Sequence, residues 1–194
     1  MVQSVLTEDA AVPGHSSTKF TYADYVLLPD DGLRHEIIEG EHYVTPAPVT
    51  RHQRISGNLY YLMRSYLEAH PIGELFHAPY DVVLADTNVF VPDLVYISKD
   101  RWHLITVKNL QGAPDLAIEI LSPSTRFRDE RLKRGVYERM GVEEYWIVDP
   151  DRDAIDVRRR AADDFQPPIR YGKGDVLTTP LLPGFDLPVD KVLA

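Results

Sequence analysis

The chain contains no cysteine among its 194 residues. This absence excludes disulfide bonds and thiolate metal sites, and it allows a reducing compartment without proving one. No apolar run approaches the ~20 residues that a membrane-spanning helix needs. The N-terminus also lacks the basic and then apolar pattern of a secretory signal. We therefore expect a cytoplasmic protein with no membrane partner.

Positive charge is scarce as well. The chain has 21 Lys and Arg residues against 30 Asp and Glu residues, which gives a formal net charge of −9. Such a balance disfavours tight nonspecific binding to nucleic acid, because neutralising phosphates requires local positive charge. The basic residues are nevertheless clustered between positions 126 and 134 and again at Arg158 to Arg160. The local field can therefore differ from the global charge.

The length and the 44% apolar content suit one globular domain. We interpret residues 1–20 as a flexible N-terminal arm and residues 21–194 as a single domain. The pattern predicts a hairpin over 36–44, a helix over 50–70, strands over 75–84, 91–97 and 114–121, a helix over 126–139, a strand over 144–148, and a proline-rich C-terminal extension that wraps the surface. This order of a helix, three strands, a helix and a strand predicts an α/β fold, an α+β mixed sheet with helices on its faces.

Two of the predicted strands carry carboxylates in otherwise apolar surroundings. A buried unpaired carboxylate is expensive, so such groups are paired or hold a metal. Successive side chains of a strand point to opposite faces, and Asp93 and Glu119 can converge if their strands are neighbours. Two carboxylates then offer oxygen ligands for a hard cation such as Mg²⁺. The alternative is that Asp93 lies in a turn after Pro92 and that an arginine satisfies Glu119.

The helix that follows carries a polar stripe. Asp129, Lys133 and Tyr137 recur at i, i+4 and i+8, so they share one side of the helix. Leu132 and Val136 lie one position away, which places Lys133 at the border of the buried face. A long flexible stem would let its ammonium group reach the strand acids. The alternative is an exposed ion pair between Asp129 and Lys133, worth a few tenths of a kcal/mol.

Two earlier residues are further candidates. Glu36 lies in the hairpin and could supply an additional acid, and a solvated hairpin carboxylate is the alternative. His52 lies at the start of the first long helix, where free backbone amides can hold a phosphate. A capping or structural function is the alternative for His52. Asp115 shares the face of Glu119 and is a possible supporting residue.

The order of elements and their acids resembles the PD-(D/E)XK nuclease superfamily. Within it, the chain is similar to the Uma-type family, whose members are named as restriction endonucleases. The resemblance covers roughly Tyr22 to Pro150, and more weakly the tail. The matching stretches are HEIIEGE (35–41), His52, VPDLVYI (91–97), GAPDLAIEILSPST (112–125), the Asp129…Lys133…Tyr137 helix and GVEEYWIVDP (141–150).

The resemblance implies a restriction-endonuclease-like core and a set of functions for these residues. Asp93 and Glu119 correspond to the acids that bind Mg²⁺ or Mn²⁺, with the main-chain carbonyl of Ile120 as a further ligand. The E-x-K pattern would need lysine at position 121, where this chain has Leu121. In the Uma-type proteins the usual proposal is a lysine from the following helix, and Lys133 is the matching residue.

These observations predict a metal-dependent endonuclease that hydrolyses phosphodiester bonds in nucleic acid, with DNA as the expected substrate. A homodimer is the expected assembly. One alternative is a catalytically silent nuclease fold that serves as a binding module. Another is a phosphoesterase acting on small nucleotides, which the acidic net charge would suit.

Overall fold

The computed structural model describes residues 19–194. Most of the arm expected over residues 1–20 therefore lies outside the described residues. Its last two residues are described, and the Phe20 amide donates to the Gly40 carbonyl at 2.9 Å.

The two helices predicted over 50–70 and 126–139 begin and end close to those positions. Thr21 caps the first helix, because its side chain accepts from the Asp24 amide while the Asp24 carboxylate accepts from the Thr21 amide. Within residues 19–194 no helix is both long and apolar enough to cross a membrane. The α-helices are α1 (Tyr22–Tyr25), α2 (Thr50–Ala69), α3 (Arg134–Met140) and α4 (Val189–Leu193), with a 3₁₀ helix at Lys99–Leu104 and a π-helical turn at Arg128–Lys133.

The strands form two larger sheets and one two-stranded ribbon. They are β1 (Arg34–Ile38), β2 (Glu41–Thr45), β3 (Gly73–His77), β4 (Val82–Ala85), β5 (Asn88–Phe90), β6 (Leu94–Ser98), β7 (Leu110–Gln111), β8 (Leu116–Ile120), β9 (Glu144–Asp149), β10 (Ala154–Ala161), β11 (Asp164–Phe165), β12 (Ile169–Tyr171), β13 (Val176–Thr178) and β14 (Asp186–Pro188). A five-stranded sheet has the order β2-β1-β5-β4-β7. The larger sheet has the order β11-β10-β9-β8-β6-β3, with β12 also paired to β10.

The larger sheet contains the predicted core. Helix α2 is followed by β3, β6 and β8, then by the π-helical turn with α3, and then by β9. Strands β6 and β8 are antiparallel neighbours, whereas β8 and β9 are parallel. A parallel pair needs a crossover connection, and α3 supplies it. The predicted mixed α+β fold with a restriction-endonuclease-like core is confirmed.

The two faces of this sheet are covered by different elements. Leu94 and Ile118 lie in one apolar cluster with residues of α2, such as Leu59. Val95 and Ala117 lie in the other cluster, with residues of α3 and of the five-stranded sheet. The second face therefore faces the hairpin β1–β2, whose turn has positive φ at Glu39 (54°) and Gly40 (86°). That pattern is typical of a tight hairpin turn.

Two sequence predictions about local structure are wrong. The single strand predicted over 75–84 is two strands in different sheets, β3 and β4, because Pro79 has no amide hydrogen to continue the first ladder. The C-terminal extension is not only a surface wrap. Leu177, Leu187 and Val192 are each 0% exposed and belong to the cluster that includes α2.

Candidate active site

The register of the central strands brings Asp93 next to β8. Leu94 pairs with Ile118 across the antiparallel strands, so Asp93, one residue earlier, lies beside Glu119. The Ile120 amide donates to Asp93 Oδ2 at 2.8 Å. This hydrogen bond positions the Ile120 main chain at the Asp93 carboxylate, while the ligand function of its carbonyl stays a prediction.

Two cationic or ionisable side chains also contact Asp93. Arg34 Nη1 lies 3.0 Å from Asp93 Oδ1, and His52 Nε2 lies 3.2 Å from Asp93 Oδ2. His52 is the third residue of α2 and makes this contact from the first helical turn, while its Nδ1 is buried without a hydrogen-bond partner. Helix α2 has no side-chain cap at its N-cap, Val49. His52 therefore does not cap α2, and a structural function is the alternative that stays open for it.

Lys133 is the centre of a second set of contacts. Its Nζ lies 2.7 Å from Glu36 Oε1, 2.9 Å from Glu119 Oε1 and 3.4 Å from Asp129 Oδ1. The Tyr137 hydroxyl donates to Glu119 Oε1 at 3.2 Å. One ammonium group thus joins carboxylates from the hairpin, the central sheet and its own helix.

The burial of the polar stripe of Asp129, Lys133 and Tyr137 distinguishes a stripe that faces the interior from an exposed ion pair. Asp129, Lys133 and Tyr137 are 2%, 1% and 0% exposed, respectively. The exposed ion pair between Asp129 and Lys133 is therefore wrong. The stripe points inward from the π-helical turn, and such turns occur frequently at functional sites.

Glu36 is buried as well. It is 0% exposed, so the solvated hairpin carboxylate is wrong. Its Oε1 accepts the Val91 amide at 2.8 Å, which ties β1 to the segment before Asp93. Its Oε2 is buried and has no hydrogen-bond partner among the described residues. A carboxylate oxygen left free in this position is a ready ligand for a cation.

The buried charges change the protonation equilibria of the site. Burial raises the pKa of Glu119 well above its ordinary value, against the opposing charge of Lys133. Burial likewise raises the pKa of Asp129. Burial alone would lower the pKa of Lys133, but the three carboxylates outweigh it and raise that pKa. For Asp93, burial favours the neutral acid, yet contacts with His52 and Arg34 outweigh it and lower the pKa.

The fully ionised cluster is electrically unbalanced. Among the residues that the structure describes, the four carboxylates of Glu36, Asp93, Glu119 and Asp129 face two permanent cations, Arg34 and Lys133. Four negative and two positive charges leave −2 when His52 is neutral. Because charges in a low-dielectric interior are costly unless compensated, the cluster favours additional positive charge. A proton can supply it, as the raised pKa values of Glu119 and Asp129 indicate, and so can a bound cation.

A cavity of about 410 Å³ leads to this cluster. Asp93, His52 and Arg34 line it from the site, and Thr45 and Pro46 line it from the end of the hairpin. Of the four carboxylates of the cluster, Asp93 lines this cavity, whereas Glu119 is not part of the lining. A ligand would therefore meet Asp93 and His52 first.

The donor set fits Mg²⁺ or Mn²⁺. Within residues 19–194 no three histidine, aspartate or glutamate side chains are grouped closely enough to form a metal site by themselves. Mg²⁺ does not require such a cage, since it keeps several waters and is commonly held by one or two carboxylates and the substrate phosphate. The oxygen ligands, the surplus negative charge and the unpartnered Glu36 Oε2 agree with that mode of binding.

Sequence reasoning missed Arg34. The sequence could have indicated Arg34, because residues 34 and 36 of one strand point to the same face and Glu36 was already a candidate site residue. Asp115, considered as a supporting residue, lies at the other end of β8 instead. Its carboxylate accepts from the Ser98 amide at 2.6 Å and lies 3.3 Å from Arg101, so it connects the start of β8 to the end of β6 and to the 3₁₀ helix.

Comparison with known proteins agrees with this geometry. A solved structure, described as "a putative nuclease belonging to DUF820" from Anabaena variabilis ATCC 29413, matches with a TM-score of 0.76 and 21% sequence identity. The match covers 89% of this chain and 97% of that one, and it shows the shared fold. No protein of curated function matches the chain. The family model described as "Uma2: Putative restriction endonuclease" matches residues 22–190, a span that holds every candidate site residue, and the chain therefore belongs to the Uma2 family of restriction-endonuclease-like proteins.

Proposed function

We propose that this protein is a metal-dependent endonuclease that hydrolyses phosphodiester bonds in nucleic acid, with DNA as its substrate. Membership of the Uma2 family supports a nuclease-like function. The observation that carries the finer proposal is the buried cluster of four carboxylates and two cations at the end of a cavity. A cluster with this surplus of negative charge is suited to a divalent cation, and its oxygen ligands are those that Mg²⁺ and Mn²⁺ prefer.

Asp93 and Glu119 would hold the cation, with the Ile120 carbonyl as a further ligand. Bound there, Mg²⁺ would polarise a phosphate and lower the pKa of a bound water. Asp93 would bind the cation from the wall of the cavity, and Glu119 would bind it from the protein interior behind that wall. Tyr137 and Lys133 keep Glu119 Oε1 in place through contacts of 3.2 and 2.9 Å.

Lys133 would replace the lysine that the E-x-K pattern expects at position 121. Leu121 is 4% exposed and packs in the apolar cluster around α3, so it supplies no charge. The ammonium group of Lys133 reaches Glu119 from the neighbouring helix instead. There it would stabilise negative charge that develops on the phosphate, which is the main electrostatic contribution to such reactions.

The other two candidates would act around this pair. His52 lines the cavity, and its Nε2 lies 3.2 Å from Asp93 Oδ2. It would orient this carboxylate or exchange a proton with it. Glu36 would hold Lys133 through the 2.7 Å contact and keep its second oxygen available for the cation.

A cleavage assay tests the proposal. The purified protein is incubated with single-stranded DNA, duplex DNA and RNA in Mg²⁺, Mn²⁺ or EDTA. We expect cleavage with either metal, none in EDTA, and none with Asp93→Asn or Glu119→Gln. Asp115→Asn is the matched control, because it removes a buried, arginine-paired acid that lies just before β8, away from the site. Cleavage by Asp93→Asn at the wild-type rate would refute the assignment.

The same assay separates the alternatives. Metal binding by calorimetry without cleavage of any polymer would indicate a silent binding module. Hydrolysis of bis(p-nitrophenyl) phosphate and dinucleotides, but not of polymers, would indicate a small-nucleotide phosphoesterase, which the net charge of −9 favours. The homodimer and the cytoplasmic location stay predictions, and light scattering of the purified protein tests the first.

A further inference from the structure

A second group of basic residues lies away from the cluster around Lys133. Arg134 in α3 and Arg158 in β10 are both partly buried. The Nε atoms of both side chains are buried and have no hydrogen-bond partner among the described residues. An arginine donor that is removed from water without an acceptor is costly. A ligand cannot contact an enclosed Nε atom, but an anion beside the two partly exposed guanidinium groups would offset the charge of both.

The topology places these two side chains next to each other. Strand β10 is antiparallel to β9, and β9 follows the crossover helix α3, so β10 and α3 run in the same direction. Arg160, two residues after Arg158, donates to the Glu138 and Val142 carbonyls at the end of α3. Arg158 precedes Arg160 by roughly 6.6 Å along the strand, and Arg134 precedes Glu138 by about 6 Å along the helix. Because the two elements run in the same direction, these similar displacements keep Arg158 beside Arg134.

Their mutual electrostatics agree with this placement. Burial lowers the pKa of Arg158, and the neighbouring positive charge of Arg134 lowers it further. Two guanidinium groups that repel each other are stable together when an anion lies between them.

The nearby carboxylates are engaged by other donors. Asp156, on the same face of β10, accepts two hydrogen bonds of 2.7 Å from Arg170. Glu138 Oε1 accepts the Phe165 amide at 2.7 Å, and Glu130 accepts from Arg126 at 3.2 Å. These carboxylates reduce the local positive charge, but their engaged oxygens do not serve the Nε atoms of Arg134 and Arg158.

We propose that Arg134 and Arg158 together form a phosphate-binding site, separate from the cluster around Lys133. A phosphate presents several acceptor oxygens and matches the planar fork of each guanidinium group. The phosphate can belong to a nucleic-acid backbone, an interpretation that rests on the proposed function, or to free phosphate. In the first case the site would fix the nucleic-acid strand where α3 and β10 lie next to each other.

The first experimental arm uses inorganic phosphate in EDTA. Phosphate should raise the melting temperature of the wild type, because a ligand that binds only the folded state stabilises it. Arg134→Gln and Arg158→Gln should each lose most of that shift. Arg64→Gln is the matched control, since Arg64 lies on α2 away from the site and forms ion pairs with Glu68 of α2 and Glu74 of β3. It should keep the wild-type response.

The second arm measures binding of labelled single-stranded and duplex DNA by fluorescence anisotropy in EDTA at 50 to 200 mM salt. Losing one phosphate contact should reduce the slope of log affinity against log salt by ~0.7 for single strands and ~0.9 for duplex. The affinity of Arg134→Gln and Arg158→Gln should fall about tenfold at low salt, as for one charged hydrogen bond. Arg64→Gln should change both the salt slope and the affinity by less than these two variants do.

The outcomes identify the ligand. Loss of DNA affinity in both variants assigns the site to the nucleic-acid backbone. A phosphate shift that both variants lose, with no DNA binding by the wild type, assigns it to free phosphate and counts against the proposed nuclease function alone. If both variants match Arg64→Gln in both arms while remaining folded, the proposal is overturned.

Discussion

Replacement of Lys133 by methionine tests the electrostatic argument most directly. The side chain is 1% exposed, and its ammonium group contacts three carboxylates at 2.7, 2.9 and 3.4 Å. Methionine has nearly the same length and is apolar, so it fills the space without supplying charge. Glu36, Glu119 and Asp129 would then share a buried region with Arg34 as the one remaining permanent cation of the cluster.

The expected cost is large. Removing one partner of a buried ion pair destabilises a protein by about 3–5 kcal/mol, because the remaining charge is left uncompensated. For a chain of this size each kcal/mol lowers the melting temperature by roughly 2–4 °C. The variant should therefore melt roughly 6–20 °C below the wild type in EDTA at pH 8.

The stability that Lys133→Met loses relative to the wild type should become smaller as the pH falls. Lys133 holds down the folded-state pKa of Glu119 and of Asp129, so its removal raises both further above their unfolded values. A group with a raised folded-state pKa contributes stability below its unfolded pKa, and this contribution is lost as the pH rises through the folded-state pKa. The variant therefore takes up protons on folding and regains stability on going from pH 8 to pH 5.

Urea unfolding and thermal melting at pH 5, 6.5 and 8 measure the effect. Lys108→Met is the matched control, since Lys108 is exposed and its loss should cost less than 0.5 kcal/mol. The double variant Lys133→Met/Glu119→Gln should recover part of the lost stability, because it removes one of the unpaired carboxylates. An equal loss at pH 5 and pH 8, or a loss no larger than that of Lys108→Met, would refute the reasoning.

Three further predictions concern the residues around this cluster. Mg²⁺ or Mn²⁺ should raise the melting temperature of the wild type, and Asp93→Asn should lose most of that shift in calorimetry and melting; equal metal affinity would exclude Asp93 as a ligand. Because the pKa of Asp93 is lowered in the folded protein, its stabilising contribution is present above the unfolded pKa of about 3.9 and is lost below it. As the pH falls into the acid range, the free energy of unfolding of the wild type should therefore decrease more steeply than that of Asp93→Asn. Tyr137→Phe removes the 3.2 Å hydrogen bond to Glu119 and should cost about 1 kcal/mol by urea unfolding, whereas no cost would indicate that Lys133 alone holds Glu119.

The central sheet could be predicted from the sequence because its signals are local. Alternation along β6 and β8 assigned Asp93 and Glu119 to one face, and the apolar strands indicated the core order. The division of the segment over 75–84 could not be predicted from the same signals. Both halves of this segment have a sequence pattern typical of a strand. They are distinguished by their pairing with strands of different sheets, which the local sequence does not show.

The site shows where local patterns are insufficient. Glu36 and Lys133 are 97 positions apart by their numbers, yet Glu36 Oε1 and Lys133 Nζ lie 2.7 Å apart. A helical projection could place Lys133 only at the border of the apolar face, because the sequence does not reveal that β1 packs over the π-helical turn. Once β1 covers that face, the border becomes interior, and a polar stripe that looks solvated must be satisfied within the protein. The same packing points Arg34 towards Asp93, since Arg34 and Glu36 share one side of their strand. The hairpin therefore both closes the core and completes the charge cluster, which is why its residues could be placed in the site only with the tertiary structure.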